Sequence, residues 1–113
     1  MSQITTHILD TARGTPAASV ALALFQLRGD QWIELAQGVT NDDGRVAGLL
    51  KPDHKLTAGT YRMHFATAKY FEQLGLAVFY PYVDVVFNLD DGGAHYHIPL
   101  LLAPFGYSTY RGS

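Results

Sequence analysis

The chain of 113 residues has no cysteine. Disulfides and thiolate chemistry are thereby excluded, and nothing constrains the redox compartment. Charge is also scarce. Lys and Arg number 8 and Asp and Glu 10, so 16% of residues are charged and the net charge is −2. That balance, with no basic cluster, gives no electrostatic basis for holding nucleic acid. Long apolar runs are missing: none approaches the ~18 residues that a membrane-spanning helix needs. The first residues, MSQITTHILD, have neither the basic nor the apolar region of a signal peptide, and the expected address is the cytoplasm. No Gly-x-Ser-x-Gly occurs, and Ser108 and Ser113 have no local signature of activation. The stretches GDQWIELAQG and DGGAH have neither the spacing nor the following helix of a phosphate-cradling loop.

What is present is apolar and rhythmic. Hydrophobic residues make up 48% of the chain, enough to build the core of one domain over 1–113. So few charges on so small a chain suggest that another subunit covers part of its surface. Turn signals recur at short spacing: ARGTP at 12–16, RGD at 28–30, NDDG at 41–44, LTAG at 56–59 and DDGG at 90–93. Between them lie β-branched and aromatic runs, namely QITTHILD, SVALALFQL, QWIELAQG, RVAGLL, TYRMHFAT, YVDVVFNL and HYHIPLLL. Short strands punctuated this way predict an all-β sandwich. One segment differs. TAKYFEQLG contains good helix formers, Thr67 as a candidate cap and Gly75 as a stop, which predicts one short helix near 68–75. Pro81 and Pro99 cannot donate to a ladder, so each is expected at a strand start, an edge or a bulge.

Several polar residues could carry chemistry. In HYH, strand alternation sends His95 and His97 to one face and Tyr96, Ile98 and Leu100 to the other, which is plainly apolar. The histidines therefore face solvent or a cleft. His7 shares its side of the first strand with Thr5 and Leu9, but both sides are mixed and alternation does not decide which is buried. Arg45 follows the NDDG turn. Its always-charged planar fork suits a carboxylate, a urea-like edge or an oxyanion. The turn lacks the spaced oxygen ligands and terminal Glu of a calcium loop. Three histidines, two of them at i and i+2, also match a zinc site on a sheet, and residue types alone do not separate that from metal-free acid–base work. His54, in a Pro-Asp-His-Lys loop, and His64, beside Arg62, are expected to be solvated.

Taken together, THILDTARGTPA, TNDDGR and HYHIPLLLAPFGYSTYRGS resemble the transthyretin-related 5-hydroxyisourate hydrolases, over almost the whole chain. The closing Tyr-Arg-Gly-Ser is that family's hallmark. The hormone carrier transthyretin shares YST but not the tetrapeptide. The resemblance implies a transthyretin-like sandwich of two four-stranded sheets with the short helix after the fifth strand. It implies a homotetramer, a dimer of dimers, with active sites in a channel at the dimer–dimer interface. The implied substrate is a small molecule, 5-hydroxyisourate, and no metal or organic cofactor is expected. Position by position, the implied catalytic residues are His7, Arg45, His97 and Ser113. His95, Tyr110, Arg111 and Gly112 would line the substrate site, with Gly112 admitting a close backbone approach because it has no Cβ.

Overall fold

The computed structural model describes residues 2–112. Its elements are β1 (Ile4–Asp10), β2 (Thr15–Pro16), β3 (Ala21–Arg28), β4 (Gln31–Val39), β5 (Gly59–Ala66), α1 (Thr67–Gln73), β6 (Val83–Leu89), β7 (Tyr96–Ala103) and β8 (Gly106–Thr109). They form two four-stranded sheets, ordered β2-β1-β7-β8 and β4-β3-β5-β6. All pairings are antiparallel except β1 with β7, which run parallel with Thr5 opposite His97 and His7 opposite Pro99. That one parallel pair joins the two ends of the chain.

Alternation explains the layers. On β1, Ile4, Thr6, Ile8 and Asp10 are buried while Thr5, His7 and Leu9 are half-exposed. On β7, Tyr96, Ile98, Leu100 and Leu102 face inward. Opposite them, Leu22, Leu24, Tyr61, Met63, Phe65, Val83 and Val85 complete the core. Burying each such side chain contributes about 1.5–3 kcal/mol. The sheet face carrying His7 is thus turned away from the core by the same pattern that buries Ile4 and Ile8.

The helix forms where expected but is capped differently. Thr67 is fully buried inside it, its hydroxyl donating to the Tyr80 carbonyl at 3.3 Å, and Ala66 holds the cap position without a side-chain bond. Strand β5 runs straight into the helix, and the segment before β6 serves the first turn instead, with Ala68 N–H donating to the Pro81 carbonyl at 3.1 Å. Gly75 does end it, at φ +71, with Gly75 N–H bonded to Glu72 O and Leu76 N–H to Phe71 O. The helix is pinned to β1: the Tyr70 hydroxyl donates to Asp10 Oδ2 at 2.6 Å, while Asp10 Oδ1 accepts from the amides of Ala12 and Arg13. Burial, then the bond to Asp10, pushes the Tyr70 phenol up to about 12. Tyr70→Phe is expected to cost about 1.5–3 kcal/mol, the range for a hydrogen bond to a charged group, read from the urea midpoint.

Three other expectations need correction. RVAGLL is not a strand: only Arg45 bridges to a neighbour, and after it the chain turns through Gly48 at φ +66 to bury Leu49 and Leu50. The two-residue strand β2 lies within what reads as a turn. Pro99 sits inside β7, an interior strand. The sheet accommodates it at the cost of the ladder to β8. Pairs from Ala103–Gly106 to Leu100–Thr109 and the isolated pair His97–Gly112 share one register, and the gap between them falls where proline has no amide. Pro81 lies just before β6, as expected. Among the described residues no helix is long and apolar enough to cross a membrane.

Candidate active site

Sheet register brings the singled-out residues together. Directly paired residues share a face. On one side of His7 lies Arg45, and on the other lies Pro99; one step along, Thr5 pairs with His97, and His97 with Gly112. Positions near both termini and mid-chain thus form two adjacent rows on the outer face of the β2-β1-β7-β8 sheet.

The NDDG turn delivers Arg45. Asn41 Oδ1 accepts from the amides of Asp43 at 2.9 Å and Arg45 at 3.1 Å, closing an Asx turn. Asn41 N–H donates to Arg45 O at 2.8 Å, and Ile8 N–H to Gly44 O at 2.9 Å, which fastens the turn to β1. Gly44 is required: its φ is +75, and a Cβ there would lie 2.5 Å from the Ile8 carbonyl oxygen. Gly44→Ala is therefore expected to displace Arg45 from His7 and lower kcat/KM at least tenfold in a steady-state assay.

The histidines meet through Thr5, which in the sequence is only a neighbour of His7. Thr5 Oγ1 lies 2.8 Å from His95 Nε2 and 2.8 Å from His97 Nδ1. The two rings are near-parallel, 22° apart, with centroids separated by 6.4 Å. His95 is exposed and precedes the strand, while His97 is half-buried within it. The His97 imidazolium is disfavoured, first by burial and then by the charge of Arg45 and the neighbouring His95 and His7, so its pKa falls below the ordinary 6.5. The signal that could have found Thr5 was its place on the His7 side of β1 together with the parallel pairing to β7, which periodicity does not reveal.

The closing tetrapeptide divides. Gly112 N–H donates to His97 O at 2.8 Å, and a Cβ on Gly112 would lie 2.6 Å from His97 Cδ2. Its close approach is thus to the histidine ring. Tyr110 is 59% exposed. Arg111 points elsewhere: its guanidinium carbon stacks 4.4 Å above the Tyr96 ring, beside a cavity of about 240 Å³ shared with Val85, Phe87 and Ile98. It sits on the opposite side of β7 from His97. Ser113 lies outside the described residues. His64 is not simply solvated, for its Nδ1 lies 2.6 Å from Oδ1 of Asp84, its register partner on β6. His54 is exposed in its loop.

As for a metal, the Thr5 hydroxyl occupies His95 Nε2 and His97 Nδ1, leaving His95 Nδ1 and His97 Nε2 for any ligand. Among the described residues no group of three His, Cys, Asp or Glu side chains is set to hold an ion.

A family model described as HIUase/Transthyretin family matches residues 4–112. The chain belongs to this family. It is 47% identical to the 5-hydroxyisourate hydrolase of Mus musculus, across 99% of this chain and 96% of the relative. It is 45% identical to the 5-hydroxyisourate hydrolase of Deinococcus radiodurans, across 97% and 95%. Among solved structures it superposes on sea bream transthyretin in complex with thyroxine with a TM-score of 0.91, at 37% identity, covering 98% of this chain and 95% of the other. The transthyretin-like sandwich expected from the sequence is the fold observed, and the His7, Arg45 and His97 rows lie on one sheet of a family member.

Proposed function

We propose that this family member hydrolyses 5-hydroxyisourate, in the cytoplasm, by water attack on the strained ring amide, yielding 2-oxo-4-hydroxy-4-carboxy-5-ureidoimidazoline. The observation that carries the reading is the convergence of His7, Arg45 and His97, 90 positions apart at the extremes, on one face. His97 is the general base: held neutral by its surroundings, it takes a proton from the water as the C–O bond forms. His7, paired with Arg45, orients the planar substrate. Arg45 neutralises the charge that develops on the carbonyl oxygen, and the ring nitrogen leaves with a proton. Names of relatives at 47% and 45% identity support this chemistry over the thyroxine complex of a neighbour at 37%.

The assembly belongs to the same proposal. Phe79, Phe105 and Tyr110 are 61%, 70% and 59% exposed, large aromatic areas for a soluble surface to leave uncovered. Four subunits would cover them and close the His7 face into a channel, with Gly112 beside His97 at its wall. Light scattering is expected to give the mass of a tetramer.

The test is the loss of absorbance of freshly generated 5-hydroxyisourate with and without protein, the protein-free sample measuring spontaneous decay. Acceleration that survives exhaustive chelation is expected and separates this mechanism from a zinc hydrolase. Decay no faster than the blank, together with saturable thyroxine binding, would replace hydrolysis with a carrier function.

A further inference from the structure

Adjacent threonines on β1 are used differently. Thr6 is buried, and its hydroxyl donates to the Ile98 carbonyl at 2.6 Å, a structural tie between β1 and β7. Thr5, on the outer face, has only imidazole nitrogens as side-chain hydrogen-bond partners among the described residues, His95 Nε2 and His97 Nδ1, each at 2.8 Å. Strand pairing does not need it, since the parallel ladder runs unbroken from Ile4–Tyr96 to Asp10–Leu102.

Proton counting restricts what this hydroxyl permits. A threonine hydroxyl has one proton to donate, and each of the two contacts needs one. One contact is therefore filled by the Thr5 proton and the other by an imidazole N–H. If His97 donates from Nδ1, then His95 accepts at Nε2 and carries its own proton on Nδ1. If His95 donates from Nε2, then His97 accepts at Nδ1 and carries its proton on Nε2. In either arrangement of the neutral pair, both rings hold the same tautomer.

We propose that Thr5 is the positioning residue that locks His97 and His95 in the Nδ1–H form, leaving His97 Nε2 as the free basic atom. The choice between the two arrangements rests on the reading of His97 as general base, because the alternative places a proton on the atom that must accept one. The same contacts supply an exit for that proton. When His97 Nε2 takes a proton from water, the Nδ1 proton moves to Thr5 Oγ1 as the Thr5 proton moves to His95 Nε2. His97 is then neutral with its proton on Nε2, and the charge rests on the exposed His95. As the ring nitrogen departs it takes the His97 Nε2 proton, while the His95 Nε2 proton moves to Thr5 Oγ1 and the Thr5 proton to His97 Nδ1, which restores both rings. Every proton is accounted for, and no co-reactant is required.

Long-range proton–nitrogen spectra of the full-length protein labelled with 15N-histidine, recorded above the titration range of both rings, test the pairing. Both His95 and His97 are expected to report Nδ1–H. Opposite tautomers, or Nε2–H on both, would overturn the proposal. Kinetics give the second arm. Thr5→Val keeps the shape and removes the hydroxyl; it is expected to lower kcat about 10²-fold, the lower end of what a correctly protonated base contributes, with KM within about threefold. Thr5→Ser restores the hydroxyl and should recover kcat to within a few-fold. A serine variant as slow as the valine one would mean that Thr5 acts by shape alone. Should Thr5→Val fail to fold, the spectra and the serine variant still decide. Undiminished turnover in His97→Asn would remove the base from the reaction while leaving matched tautomers standing, so the two claims fail separately.

Discussion

His97→Asn is expected to lower kcat/KM for 5-hydroxyisourate by about 10²–10⁴-fold, the contribution of a positioned general base. Asparagine keeps a polar atom near the Nδ1 position, able to meet Thr5, but has nothing basic where Nε2 stands. The ring is half-buried on the outer face of the sheet, so its loss opens no cavity in the core. Circular dichroism and the urea midpoint should therefore stay near wild type. Turnover within twofold of wild type would show that another group takes the proton, with His7 the next to substitute.

The pH dependence follows from the same ring. Burial acts first, then Arg45, His95 and His7, and together they hold the His97 pKa below 6.5. The proposed base stays neutral further into acid, so the acid limb of kcat/KM is expected below pH 6.5. Arg45→Gln removes the second of those causes. The limb should move up toward the ordinary value without reaching it, because burial persists. Stability has the same sign. Below its ordinary pKa the unfolded chain binds a proton that native His97 refuses, so this contribution is intact above pH 6.5 and is lost as pH falls through the native value.

How much of this was legible in the sequence depended on whether local rules governed it. Alternation at Tyr61, Met63 and Phe65 reads directly as one buried face, because each side chain's direction is set by its own backbone. The helix stop at Gly75 is similarly local. The start was not: Thr67 carries the chemistry of a cap, but the Tyr80 carbonyl, 13 residues on, claims its hydroxyl. RVAGLL has strand composition, yet tertiary packing of Leu49 and Leu50 around a left-handed Gly48 overrides it. Pro99 reads as an edge residue because a ladder needs donors. Only the register to β8 reveals that the missing donor coincides with a gap in that ladder. For the site, residue types and motifs named His7, Arg45 and His97, but their meeting depends on β1 pairing parallel with β7. No spacing within either strand encodes that pairing, and for the same reason Thr5 reads in the sequence only as a neighbour of His7.

Gly112→Ala is expected to be nearly as damaging as loss of the base, although it adds one carbon to an exposed end of the chain. The backbone at Gly112 is not left-handed, so strain is not the cause; space is. A Cβ there would stand 2.6 Å from His97 Cδ2, 3.1 Å from Cγ and 3.2 Å from the histidine's own Cβ. Two responses are open. The imidazole rotates and gives up its 2.8 Å contact with Thr5, or the chain end lifts and gives up the 2.8 Å bond from Gly112 N–H to His97 O. Either shifts the proposed base or the chain end packed on it by something near 1 Å, a displacement that costs about 10²-fold in rate where the group is catalytic. The global fold should not register it, because among the described residues the ladder beyond Thr109 consists of the single His97–Gly112 bridge past the gap at Pro99. Removing residues 110–113 sharpens the contrast. That deletion adds no crowding at the ring but takes away the chain end, and it should abolish hydrolysis while leaving a folded oligomer. If the deletion is inactive and Gly112→Ala is fully active, the terminus acts only as a wall and its contact with His97 has no bearing on the chemistry. If both turn over normally, the chain end has no part in the site.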